Sequence, residues 1–318
     1  MLQFRLRAFT LIGMLLTAGP LSVVFAGSLL SKDWRLNSSD PVEQLSQQQD
    51  TVCPLANFYD ADLHEQLMAL VESDPEYKRL VNANKMSIGV VDIMDVDNPR
   101  FASVNGDVMM YAASLPKIAV LLAAEDAIEK NEVLYTDQLE QDMRQMISKS
   151  NNQATTRIID LLGYEKIESV VRDQRYLFYD PTEGGGLWVG KRYAAGGPTN
   201  REPIKNLSHA ATADQVCRFY YLLINHRLVS PERSDHMLEM LECPEIDHKF
   251  VHSMRLIDPN ARLFRKSGTW QDWHADSIMV ISEERQYILV ALIQDSAGER
   301  IIQDLAFSLD RIITQKQD

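Results

Sequence analysis

Hydrophobic and polar positions divide this chain into three regimes. An uncharged apolar run from Ala8 to Ala26 follows Arg5 and Arg7, a polar stretch extends to residue 52, and periodic patterns fill the remainder. The apolar spacing from Phe58 to Val71 predicts a helix. Met86 to Ile93 and Arg100 to Val104 read as strands joined by the turn-forming Asp95-Val96-Asp97-Asn98-Pro99. From Ser114 to about Val251 the period is mainly helical, clearest at 114–130, 137–147, 152–162, 212–225 and 231–241. A Gly-rich stretch at 180–200 interrupts it. Strand patterns return at Arg262–Trp270, Asp276–Ser282 and Gln286–Gln294, and Ile301–Ile313 fits a closing helix.

This order predicts an α+β fold: an antiparallel sheet built from both chain ends, flanked by helices, with an inserted all-helical subdomain. The expected boundaries are a polar linker at 27–52 and a folded domain at 53–318. Within that domain an α/β part (53–113 and 255–318) stands beside a helical part (114–254), with the active site at their seam.

Composition refines the picture in a few places. With 45% hydrophobic and 24% charged residues over 318 positions, the chain can bury a core and is not globally disordered. The first run carries Gly13, Gly19 and Pro20 and ends in Val24-Phe25-Ala26, as a secretory signal peptide over residues 1–26 does. Export to a periplasm or the outside is therefore expected, with an uncleaved membrane anchor as the alternative. Removing that segment takes away two arginines and moves the net charge from −13 to −15. Such a chain has no electrostatic basis for binding nucleic acid or anionic lipid. Its substrate is neutral, or anionic and held by a local cationic pocket. The cysteines, Cys53, Cys217 and Cys243, allow one disulfide plus a free thiol, and Cys217 lies in an apolar pattern suited to a buried structural thiol. No cysteine pair has zinc-site spacing, and neither a metal nor a cofactor is expected.

Three short motifs carry the candidate chemistry. Ser114-Leu115-Pro116-Lys117 opens an apolar helical run, and proline tolerated in a first turn puts the helix start at or just before Ser114. Lysine three residues after serine shares its helix face and can ease loss of the serine proton. Ser150-Asn151-Asn152 precedes a second helix, and Lys266-Ser267-Gly268-Thr269 ends a strand pattern whose glycine permits close approach.

In this order and context, the motifs resemble those of class A β-lactamases and the β-lactamase/penicillin-binding protein superfamily, across roughly residues 55 to 316. The resemblance implies Ser114 as nucleophile, Lys117 as base or base partner, and Ser150 and Lys266 as proton and charge guides. It further implies an oxyanion hole from the Ser114 and Thr269 amides, with Asn152, Ser267, Gly268 and Thr269 binding substrate. The expected activity is hydrolysis of β-lactam amides. The alternatives are a D-Ala-D-Ala-type peptidase or other amide or ester hydrolase with slow deacylation, and a non-catalytic cell-wall-ligand-binding domain. The partner is then a small β-lactam or a peptidoglycan-like peptide, with no stable protein partner implied.

The pattern departs from the family in places. Asn151 stands where aspartate is frequent, and the segment from Ser114 to Ser150 is short. Class A enzymes place a deacylating glutamate in Glu-Pro-x-x-Asn; Glu202-Pro203-Ile204-Lys205-Asn206 matches it at an unusual distance, and Glu183 is the rival. Gly185-x-x-x-x-Gly190-Lys191 imitates a phosphate loop, but Arg192 replaces the magnesium-binding hydroxyl, so a loop bordering the cleft is expected. His248 and His252 have helical spacing without a third ligand, and His274-Ala275-Asp276 is expected to shape the turn after the lysine strand.

Overall fold

The computed structural model describes residues 54–95, 98–242 and 244–315. The expected signal peptide (1–26), the polar linker (27–52), Cys53 and Cys243 lie outside them. Among the described residues no helix is long and apolar enough to cross a membrane.

Five antiparallel strands form the main sheet: β1 (Met86–Asp92), β2 (Arg100–Val104), and from the C-terminal end β8 (Arg262–Trp270), β9 (Trp273–Ile281) and β10 (Gln286–Gln294). Their order is β2-β1-β10-β9-β8, which joins the two chain ends through β1 against β10 and leaves β8 as an edge. The sheet is covered on both faces, which is why β1 and β10 read as nearly continuous apolar runs rather than alternating ones. On one side α1 (Ala61–Ser73) and the long C-terminal α10 (Gly298–Thr314) pack with α9 (Phe250–Ile257) into a single apolar cluster. Against the sheet also lies α7 (Ala213–Ile224), whose Tyr220 hydroxyl meets the Ser277 hydroxyl at 3.1 Å. Cys217 is fully buried on that helix, as its apolar setting implied, and burial raises its thiol well above the usual range.

The helical part is organised around α3 (Lys117–Glu129), buried on nearly every side. α4 (Asp137–Ser148), α5 (Asn152–Leu162), α6 (Tyr164–Val171) and α8 (Pro231–Leu241) surround it.

Several expectations shift. α3 starts at Lys117 rather than at Ser114, because residues 114–116 form a tighter turn. β9 begins three residues earlier than expected, so His274-Ala275-Asp276 lies inside the strand opposite Thr269, Gly268 and Ser267; the turn falls at Gln271, in the left-handed region at φ 52°. α2 (Pro75–Asn82), α6 and α9 are additional eight-residue helices, too short to show a strong period. The Gly-rich stretch holds two-residue strands, β4 (Tyr179–Asp180), β5 (Gly185–Gly186) and β6 (Trp188–Val189).

Candidate active site

Ser114 sits in a hairpin-like entry to α3. The strand before it, β3 (Met110–Tyr111), pairs with β7 (His209–Ala211), and the Ala112 N–H donates to the His209 carbonyl at 3.0 Å. Ala113 is held at φ 48°, a region that costs a residue with a Cβ about 1–3 kcal/mol and persists only where its surroundings enforce it. Successive i→i+3 hydrogen bonds follow, Lys117 N–H to Ser114 O at 3.3 Å and Ile118 N–H to Leu115 O at 3.3 Å. Residues three apart eclipse in such a turn, so Ser114 and Lys117 still project to one side although the α-helix has not begun.

The β8 edge comes up against this turn at Gly268. A Cβ placed there would lie 2.6 Å from the Ser114 amide nitrogen, so only glycine lets the strand pass.

Lys117 is fully buried, and its ammonium donates to Ser150 O at 2.7 Å, Asn152 Oδ1 at 2.9 Å and Ser150 Oγ at 3.3 Å. Ser150 is presented in the left-handed region (φ 54°) between α4 and α5, where the Asn151 side chain caps α5 by accepting the Ala154 N–H at 2.9 Å. From β8, Lys266 donates to the same Ser150 hydroxyl at 3.0 Å. One hydroxyl therefore stands between two buried ammonium groups. Burial lowers Lys117 to about 7, so a large fraction is neutral at neutral pH and can accept a proton. Burial, with Lys117 and Arg265 nearby, takes Lys266 well below the usual lysine range.

Behind β8, Lys249 is buried and donates to Gly268 O at 2.7 Å, Thr269 Oγ1 at 2.8 Å and Ala275 O at 3.1 Å. Arg265 pairs with Asp276 at 2.7 Å, and Asp276 also accepts the Phe250 N–H, which ties α9 to the strand pair.

Beside these groups lies a cleft of about 800 Å³ whose walls include Ser114, Asn152, Thr269, Tyr193, His209 and Trp273. Residues 191–196 border it, as expected of the Gly-rich loop, while Trp188 points inward and packs on Tyr179 at 4.6 Å. Among the described residues no carboxylate lines the cleft.

A beta-lactamase enzyme family model matches residues 73–145 and 136–315. The chain belongs to that family. Solved structures of the same fold include a beta-lactamase from Sphaerobacter thermophilus, 18% identical, with a TM-score of 0.59 over 76% of this chain and 98% of that one. Another is a mutant of the last common ancestor of Gram-negative bacteria class A beta-lactamase (14% identity, TM-score 0.60, 80% and 100% coverage). A third is a PBP-A mutant in an acyl-enzyme complex with penicillin G (18% identity, TM-score 0.58, 81% and 96% coverage). No curated protein matches the chain.

Against that family background, the two sequence-derived glutamates stand apart from the cleft. Glu202 is buried, but its carboxylate is taken up locally: Oε1 accepts the Lys205 and Leu207 N–H groups at 2.7 and 2.9 Å, and Oε2 accepts Ile204 N–H at 2.7 Å and the Tyr179 hydroxyl at 3.1 Å. It folds the loop 202–207 around itself. Glu183 is exposed in a short 3-10 turn (Pro181–Glu183). His248 and His252 do not share a helix face, because α9 begins only at Phe250 after Lys249 at φ 52°. Among the described residues no cluster of three or more His, Cys, Asp or Glu side chains could hold a metal. The cleft residues that motif reading did not find are Tyr111, Tyr193, His209 and Trp273, together with Lys249 beneath; none belongs to a local pattern.

Proposed function

We propose that this chain is a serine acyl-transfer enzyme that accepts β-lactam and D-Ala-D-Ala-type peptide amides at Ser114 and releases its acyl group slowly. The observation that carries the reading is the hydrogen-bonded Lys117–Ser150–Lys266 chain behind the turn that presents Ser114 to a cleft, whose lining among the described residues includes no carboxylate. Neutral Lys117 takes the Ser114 proton as Oγ attacks the carbonyl carbon. The Ser114 and Thr269 N–H groups meet the oxyanion. As the C–N bond breaks, the Ser150 hydroxyl, bridged between Lys117 and Lys266, passes a proton to the leaving nitrogen.

Two details favour a carboxylate-bearing amide. Lys117 engages Asn152 Oδ1, which leaves the Asn152 side-chain N–H to donate to a substrate carbonyl. Lys249 donates to Thr269 Oγ1, which leaves that hydroxyl proton to meet a substrate carboxylate beside Ser267. Rapid β-lactam hydrolysis requires a base for the deacylating water; the Glu202 carboxylate is taken up by three backbone N–H groups and the Tyr179 hydroxyl, and Glu183 is exposed on a short 3-10 turn. Slow release therefore takes precedence over turnover. Retention of Ser114 and Lys117 in this arrangement disfavours a purely binding role. The arginine-flanked apolar run at Ala8–Ala26 supports export as the setting.

Intact-mass analysis with a simple penicillin tests the reading. One acyl adduct on the wild type and none on Ser114→Ala is expected. An adduct on both proteins, or on neither, removes Ser114 from the mechanism.

A further inference from the structure

Tyr193 lies between the catalytic lysine and the cleft. Its ring stands 4.6 Å from Lys117 Nζ and lines the cleft, whereas Lys117 itself is fully buried and does not. The Tyr193 hydroxyl donates to Ala113 O at 3.1 Å, the carbonyl just before Ser114 in the left-handed residue that sets the turn. The His209 ring backs Tyr193 at a centroid distance of 4.2 Å. His209 is fixed in turn, its Nε2–H donating to Lys191 O and its Nδ1 accepting from the Ser208 hydroxyl, both at 3.0 Å.

We infer that Tyr193 is a positioning residue for Ser114 acylation: its ring seals the Lys117 ammonium from cleft water, and its hydroxyl holds the backbone entering Ser114. This rests on the function proposed above. No tyrosine motif marks the position, and nothing in the family's three motifs calls for it.

A ring face near an ammonium acts in two opposing ways. It attracts the cation, which favours protonated lysine by about half to one and a half pH units. It also excludes water, which disfavours the cation. Burial lowers Lys117 from the ordinary lysine range to about 7, a drop of over three pH units. The ring supplies the cleft side of that burial, so its removal admits cleft water to Lys117, and on this inference that gain outweighs the lost ring attraction and raises the proton affinity of Lys117. The other groups facing this site are Lys266 from β8, His209 from β7, and the neutral Ser150 and Asn152. Burial holds His209 down to about 4, so it stays uncharged across the range that matters.

The test is the pH profile of Ser114 acylation by penicillin, followed by mass spectrometry in wild type, Tyr193→Phe and Tyr193→Ala. In Tyr193→Ala the ascending, acid-side limb should move up by at least about one pH unit, with the rate recovering at high pH. Tyr193→Phe should keep the wild-type midpoint and lose about two- to tenfold in rate at every pH, the worth of one neutral hydrogen bond. Tyr193→Leu, a milder change, should move the midpoint in the same direction by less, and serves if the alanine variant does not fold. An unmoved midpoint in the variants lacking the ring, or a moved one in Tyr193→Phe, overturns the inference. A wild type that does not acylate defeats the proposed function instead, and an NMR titration of labelled Lys117 then reads the same midpoint without substrate.

Discussion

Gly268 and Ser114 meet so closely that the edge strand and the serine turn form one surface, with 2.6 Å between the glycine's missing Cβ and the serine amide nitrogen. The oxyanion site proposed at the Ser114 and Thr269 amides depends on that fit. Gly268→Ala must push the two apart, at a cost of about 1–3 kcal/mol in stability. Displacement by a fraction of an ångström to an ångström should lower acylation at least about 100-fold. Acylation at the wild-type rate in a folded variant would show that β8 does not border the reacting carbonyl.

Ser150 carries the second prediction. Its hydroxyl accepts from Lys117 at 3.3 Å and from Lys266 at 3.0 Å, so Ser150→Ala cuts a side-chain bridge between them. Acylation by penicillin should fall by about 10²–10⁴-fold, the usual worth of a proton-transfer group, while equilibrium binding of the same compound to a Ser114→Ala background changes little. Equal loss in both measurements would mean that Ser150 only shapes the cleft.

Glu202 is predicted to matter for folding alone. Glu202→Gln replaces an acceptor of three backbone N–H groups with an amide that must turn an N–H toward one of them. A loss of about 1–3 kcal/mol is expected, with the lifetime of the acyl adduct unchanged. A lengthened lifetime would instead make Glu202 the deacylating base.

A fourth prediction concerns the helical part. His236 on α8 bridges Glu125 Oε1 at 2.7 Å and Glu140 Oε2 at 3.0 Å, and its hydrogen bond to the buried Glu125 raises its proton affinity. A histidine raised in the folded state stabilises fully below its unfolded value of about 6.5 and loses that contribution as pH rises through the folded value. His236→Gln should therefore lower Tm most at pH 5.5, by an amount equivalent to about 1–3 kcal/mol, and progressively less toward pH 9. A constant gap across that range would mean that the charge on His236 contributes nothing.

The parts of the fold and site that were readable in the sequence are those written locally. Val90, Val91 and the run from Ile288 to Ile293 announce strands buried on both faces, and Asn151 announces a helix start. The motif residues Lys117, Ser150 and Lys266 converge because each sits on or beside a helix or strand that local residues specify. Tyr193 and His209 were not legible: their partners are 80 and 18 residues away in the chain, and neither has a periodic neighbour. Lys249 acts on Gly268 and Thr269 only because α9 docks behind β8 through Asp276. Glu202-Pro203-x-x-Asn206 matched a family pattern, but a five-residue match says nothing about which way a loop faces; here the carboxylate turns inward to its own backbone.

The lifetime of the Ser114 adduct tests the central claim most directly. After saturation with penicillin and rapid removal of the excess, the adduct mass is followed over time. A typical enzyme turning over at about 10 per second, deprived of a base worth 10²–10⁴-fold, retains its acyl group for on the order of ten seconds to ten minutes. Decay on that scale or slower is the expected result. Clearance within a second, with hydrolysed penicillin accumulating catalytically, would contradict the account and show that a group at the cleft activates the deacylating water.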